Sequence, residues 1–347
     1  MINSVRQTVM AVLNKNNYGY ITPSDFNLFA KQAQLDIFED YFYQYNYQLN
    51  KENKRLSGTG YADIKKGLEE VIDGLSEYKP LTNIDLASTT PTRGVYANSY
   101  YTPSLFTTDD NYYLLNKLLV YEKLRIEGTT EGIDAGGLDI LDGSADFQAS
   151  GVQVGDHVCT VLSNGTLKVA TVLFVRSQYI VEVSEPIFTE VGQDYTIFDG
   201  SKIKEAERVT NSKITMLNNS LLTKPTLQYP SYTQEGAGGT SNTSSYDKLL
   251  FYPNNQINKQ GQVMCQYIRY PRDPKWTYVT LANGDPVFDG DSQTYQDFEL
   301  HIGDEVDLVN KILQYAGMSI REIAATNFGQ GEETEDAQGF GITKQER

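Results

Sequence analysis

Apolar side chains recur along this chain with two periods, and the expected element changes with the period. Ile2, Val5, Val9, Val12 and Leu13 fall at helical spacing, so residues 2–14 read as an amphipathic helix. From Pro23 to about Leu49 there are two stripes. Phe26, Phe29, Ala30, Ala33, Ile37, Tyr41 and Tyr45 make one, and Leu35, Phe38, Phe42 and Leu49 make a second, displaced around the axis. A helix apolar on more than one face must be covered on more than one face, and in so polar a chain a neighbouring subunit is the expected second cover. Ile64, Leu68, Val71, Ile72 and Leu75 place a third helix over residues 61–78. Val306, Val309, Ile312, Leu313 and Ala316 define a C-terminal helix that Gly317 is expected to end, with a short helix following from about Ser319.

Between these ends the pattern loosens and then shortens. Residues 81–110 are rich in Thr, Ser, Asn and Pro and read as a long arm, and "NYYLLNKLLVYEKLRIEG" reads as extended structure. Residues 133–198 hold short β-branched runs separated by turns, with Asn164-Gly165 as a hairpin signal, which suggests a small barrel or sandwich. A short helix is expected over 212–222. "TQEGAGGTSNTSS" is too polar to pack. "YDKLLFYP" and "GQVMCQYIRYP" read as strands ending in Pro and suited to a sheet edge.

The expected fold class is therefore α+β: a helical bundle from the N- and C-terminal helices, with an inserted small β-barrel or sandwich module and a β-hairpin region. The expected divisions are 1–80 (helical), 81–132 (arm and extended segment), 133–200 (β module), 201–300 (short helix and strands), 301–330 (C-terminal helices) and 331–347 (an acidic, mobile tail).

The start of the second helix carries a decoy. Asn14, Asn16, Tyr18, Gly19, Ile21 and Asp25 fall at positions one, three, five, six, eight and twelve of a helix-loop-helix calcium loop. Gly19 and Ile21 fit that pattern, but Tyr18 offers no carboxylate and Asp25 is one methylene short of the usual bidentate Glu. A helix start explains the same residues: Thr22 caps, Pro23 takes the first position and Asp25 completes a near capping box.

Composition narrows the chemistry. The chain has 347 residues, with 45 Asp plus Glu against 29 Lys plus Arg, a formal charge of −16. That balance disfavours gripping phosphate backbones or anionic lipid. Cys159 and Cys265 are too few for a disulfide framework, and no leader or membrane-length apolar run is visible, so a soluble, cytosol-made protein is expected. Tyr (25) and Phe (14) are numerous, which suits protein–protein surfaces as well as a core.

Catalytic and metal-binding constellations are not found. His157 and Cys159 share one face of an expected strand, a spacing that could seed a metal site, but no further Cys or His joins them and packing is the reading taken. His301 reads as a cap or surface residue. The acidic stretches "GIDAGGLDILDGSAD" and "DGDSQTYQDFE" read as solvated turns. No phosphate loop and no Gly-x-Ser-x-Gly elbow occurs. No catalytic, cofactor or metal residue is assigned.

"YGYITPSDFNLFAKQAQLDIFEDYF" resembles the N-terminal helix signature of the head-to-tail connector (adaptor or ring) proteins of tailed phages, nearest those of crAss-like short-tailed phages. The likeness continues in "RLSGTGYADIKKGLEEVID", in "GVQVGDHV", "VLFVRSQYIVEVSEPIF" and "GQDYTIF", and in "LLTKPTLQYPSY". It returns in "VMCQYIRYPRDPKWTYV" and "QDFELHIGDEVDLVNKILQYAGMSIRE". The segments keep one order and span most of the chain, and the Thr/Ser-rich loops fall outside them.

The resemblance implies a non-enzymatic virion subunit, assembled in the host cytoplasm, that joins portal to tail in a homo-oligomeric ring of twelve copies. Its partners would be the portal protein and the neighbouring ring or tail proteins, with no cofactor and no membrane. DNA would pass through the channel without specific binding, and an acidic lumen would keep it from sticking. Phe38, Tyr41, Phe42 and Tyr45, with Tyr267 and Trp276, are the expected subunit-interface anchors, and Tyr41→Ala with Phe42→Ala is expected to weaken assembly more than folding. The alternative is a tail-associated carbohydrate-binding or hydrolytic protein that uses Asp residues of the 133–198 module, which needs two carboxylates facing one cleft.

Overall fold

The structure is a computed structural model that describes residues 1–13, 21–53, 64–84, 98–105, 108, 110–134, 136–162, 165–235, 248–254, 256–282 and 284–320. Its five helices are α1 (Ile2–Leu13), α2 (Pro23–Asn53), α3 (Ile64–Asp73), α4 (Asn211–Asn218) and α5 (Glu305–Ile320). The first strands are β1 (Ser76–Pro80), β2 (Ser99–Tyr101), β3 (Tyr112–Tyr121), β4 (Leu124–Thr129), β5 (Gly132–Ile133) and β6 (Asp139–Leu141). Next come β7 (His157–Val161), β8 (Leu167–Ser177), β9 (Ile180–Val183), β10 (Asp194–Phe198), β11 (Ile203–Glu205) and β12 (Glu207–Arg208). The last are β13 (Ser231–Glu235), β14 (Lys248–Tyr252), β15 (Val263–Arg269), β16 (Tyr278–Thr280) and β17 (Pro286–Phe288).

The chain is thus mostly β, with four sheets against five helices among the described residues, and not the expected helical bundle of N- and C-terminal helices around an insert. Long-range pairing is the physical reason. Residues 76–78, which the apolar spacing gave to the end of a helix, belong instead to β1 and pair with β15, Ser76 opposite Ile268. The presumed arm supplies β2 to a second sheet through its pairing with β14. Two compact units result, Met1–Leu75 with Tyr270–Arg347, and Ser76–Arg269.

In the Ser76–Arg269 unit one sheet runs β1-β15-β3-β11 and another β12-β13-β14-β2. The two Pro-terminated strands, β14 and β15, therefore have neighbours on both sides and are central rather than edge strands. Pro253 comes directly after β14 and Pro271 two residues after β15, so neither removes a donor from its ladder. Tyr100, Leu118, Val120, Phe251, Val263, Cys265 and Tyr267 form the shared core.

The 133–198 stretch joins β4 in one seven-stranded sheet, β4-β10-β7-β8-β9-β6-β5. The long β8 pairs with β7 through Leu167–Thr171 and with β9 from Val172 onward, with register shifts on the β9 side. Such irregularities bend a strand, so the sheet curls over its own core of Ile140, Phe147, Val158, Val172, Val181 and Ile197. The β7–β8 turn closes through Gly165, at a φ of +82° that favours glycine. Its expected partner Asn164 lies outside the described residues.

In the other unit α2 begins where Thr22 accepts a hydrogen bond from the Asp25 N–H (3.2 Å) and donates to the Asp25 carboxylate (2.6 Å). Asp25 is thereby occupied as part of a cap. Asn14, Asn16, Tyr18 and Gly19 of the calcium-loop alignment lie outside the described residues.

On the second apolar stripe of α2, Phe38 is covered within its own unit, while Leu35, Phe42 and Leu49 are half-buried. Phe38 packs on Tyr270, with ring centroids 5.7 Å apart, and Gln34 donates to the Arg272 carbonyl at 2.8 Å while accepting from the Glu299 N–H at 3.1 Å. Tyr315 on α5 donates to Asp36. Phe26, Ala30, Ala33, Ile37 and Tyr41 share a core with Ile2, Val5, Val9, Trp276, Leu308 and Ile312.

α3 is shorter than expected, and α5 runs through Gly317 to Ile320 without the expected break. An interior glycine costs a helix about 1 kcal/mol, which the buried packing around Ala316 offsets. The tail 331–347 lies outside the described residues. No helix among them is long and apolar enough to cross a membrane.

Candidate interaction surface

The six aromatic residues expected to anchor a subunit interface are placed largely in the core. Phe38 is buried, with its ring edge-on to Phe42 at 5.1 Å. Tyr41 is buried and donates a 2.5 Å hydrogen bond to Asp304. Burial first, and then that carboxylate, push its phenol well above the ordinary tyrosine range. Tyr267 is buried among the strands of its own sheet. Trp276 is buried beneath Arg6, whose guanidinium carbon stands 3.7 Å from the ring centroid, and its indole N–H donates to Asn3 at 3.2 Å. Phe42 and Tyr45 are half-buried, and Tyr45 donates to Glu69 at 3.0 Å.

The residues screened for chemistry are structural as well. His157 stacks on Tyr121 at 4.5 Å, and burial pushes its pKa down to about 4, so the imidazole is neutral near pH 7. Cys159 is buried beside Gly261, and burial pushes its thiol up to about 12. Among the described residues no group of three or more His, Cys, Asp or Glu could hold a metal ion. His301 caps the short 3-10 turn Ile302–Asp304, its Nδ1 accepting from the Gly303 N–H at 3.0 Å.

The acidic stretches fold as turns whose carboxylates are already engaged. Asp134 accepts from the N–H groups of Leu138 and Asp139, which hold it below the usual carboxylate range. Asp142 accepts from Ser144 and from the Tyr195 hydroxyl (2.6 Å). Burial pushes its pKa up, but these hydrogen bonds outweigh that and leave it lowered. Asp156 and Asp199 flank Arg125 at 3.4 and 2.8 Å. Asp297 pairs with the Met1 amine at 3.0 Å and accepts from the Ile2 N–H at 2.7 Å. These carboxylates support turns and ion pairs.

Some of the side chains turned outward are large and apolar. In the unit holding the helices, Tyr278, Val279, Leu281 and Val287 are exposed on the β16–β17 hairpin. Thr8 of α1 lines an open groove with Ile302, Gly303, Glu305, Val306 and Val309. Sequence reasoning placed Val306 in the buried stripe of α5, whereas it stands at the solvent edge. The clue was its position in the first turn, where a helix stripe can run past the surface that covers it. In the other unit Met216, Leu221, Leu222 and Tyr229 are exposed.

No protein-family model matches the chain, and no curated protein matches it in sequence.

Proposed function

We propose that this chain is a structural, non-enzymatic subunit of a ring in the head-to-tail connector of a tailed phage, one of twelve copies around the channel through which the genome passes. The observation that carries this reading is a set of separate outward apolar features, the groove at the start of α5 and the β16–β17 hairpin in one unit and Leu221 and Leu222 in the other. A ring closed by head-to-tail contacts needs two different complementary faces on every copy, and an apolar patch on a soluble chain marks an interaction site. The formal charge of −16 also suits a subunit beside sliding DNA, because Lys and Arg would release counterions and hold the duplex. The ordered connector-like segments supply the place in the particle, between the portal and the tail.

Electron cryomicroscopy of the particle vertex tests this. The expected result is density for this chain as one ring of the neck. Its absence from the neck, or its presence in a peripheral fibre, overturns the reading.

A further inference from the structure

The turn after α4 presents two adjacent leucines to solvent, Leu221 at 97 % and Leu222 at 96 % exposure. The turn itself is ordered by hydrogen bonds: the Ser220 N–H donates to the Leu217 carbonyl at 3.2 Å, the Lys224 N–H to the Ser220 carbonyl at 3.1 Å and the Thr223 hydroxyl to the Leu217 carbonyl at 3.3 Å. Buried Ile214 fixes α4 beneath it. Both side chains are therefore held outward by the fold, at a cost that only burial against something else removes.

Charge indicates what that something is. Residues 208–234 contain Arg208, Lys213 and Lys224 and no acidic residue, in a chain whose net charge is −16. Lys213 and Lys224 are exposed, and neither pairs with a described carboxylate. The leucine knob is thus a basic island on an acidic protein, which favours an acidic partner and disfavours a basic one.

The groove between α1 and the start of α5 has the matching character. Its volume is about 360 Å³, large enough for two aliphatic side chains, and Ile302 and Val306 on its wall are 75 % and 65 % exposed. Glu305 lines the groove, and no basic side chain does.

We propose that Leu221 and Leu222 of one copy insert into this groove of a second copy, with Lys213 and Lys224 facing Glu305 at its rim. The contact is heterologous: each copy offers the knob to one neighbour and the groove to the other, and successive contacts close a ring once the rotation divides a full turn. This inference rests on the ring reading and names the surface that makes it.

The test uses two full-length variants, Leu221→Asp with Leu222→Asp, and Ile302→Asp with Val306→Asp. All four positions are exposed, and circular dichroism verifies that each variant folds. Milder Ser substitutions at the same four positions replace any that does not. Mass by light scattering is then read for the native chain, for each variant and for their mixture. The expected result is a closed assembly for the native chain, a single copy for each variant, and a one-to-one dimer for the mixture, since one intact knob and one intact groove remain. If the native chain stays single at every concentration, the ring reading falls and takes this contact with it. If the native chain assembles and both variants assemble equally well, the ring reading stands and the knob contact is overturned. Folded variants that stay single even when mixed also overturn it, because the knob and the groove then serve other partners.

Discussion

Gly261 lies directly against Cys159: a Cβ at Gly261 would stand 2.2 Å from the Cys159 Cβ and 2.5 Å from its Sγ, and the glycine has a φ of +72°. Gly261 leads into β15, whose Met264 shares a small core with Phe198 of β10, so two sheets of one unit pack together here. Gly261→Ala adds a left-handed strain of about 1–2 kcal/mol and an overpacking cost of about 1–3 kcal/mol. A loss of about 3 kcal/mol in urea unfolding is expected, with partial recovery when Cys159→Gly is added. A loss below about 1 kcal/mol would show that the sheets separate easily.

His157 makes stability depend on pH in a defined window. Its pKa is about 4 in the folded chain and near 6.5 when unfolded, so between those values the unfolded state binds the proton and the folded state does not. Stability is therefore full above about pH 6.5 and falls by up to about 3 kcal/mol as pH drops to 4. His157→Phe keeps a ring against Tyr121 and is expected to flatten the unfolding free energy across that window. An unchanged slope would place the titration elsewhere.

Asp142 acts lower on the scale. Its folded pKa lies below the ordinary value of 3.8, so the stability it contributes is present above 3.8 and is lost as pH falls through the folded value. Tyr195→Phe removes the hydrogen bond from the hydroxyl to this carboxylate and leaves a buried acceptor short of one partner. A loss of about 1–3 kcal/mol is expected in thermal unfolding at pH 7.

Tyr41 and Phe42 change roles between sequence and structure. Tyr41 belongs to the first apolar stripe and Phe42 to the second, whose expected cover was a neighbouring subunit; Tyr41 is core and bonded to Asp304, and half-buried Phe42 packs edge-on to Phe38. Tyr41→Ala with Phe42→Ala is accordingly expected to cost folding first, by on the order of 4 kcal/mol or more in chemical denaturation. A fully stable double variant that fails to assemble would return these rings to an interface.

Local signals were legible and remote ones were not. Thr22, Pro23 and Asp25 announced the start of α2, because a cap is complete within four residues. The low β-branched content of 111–128 still admitted strands, and β3 and β4 are there. Residues 76–78 were misread because Leu75 and Tyr78 continue a helical spacing, while the hydrogen bonds that make this stretch a strand come from residues 266–268. Gly317 was read as a stop, although a glycine buried beside Ala316 can stay inside a helix that packs closely. The candidate surface was the least legible part. Exposure of Val306, or of Leu221 and Leu222, depends on where the packing stops, and the pattern of apolar letters does not carry that.

Native mass spectrometry of the purified full-length chain tests the ring most directly. One dominant closed species with a fixed copy number, twelve, is the expected spectrum, with few intermediates between it and the single chain. A spectrum of single chains alone at high micromolar concentration, from protein that is folded by circular dichroism, would contradict the ring.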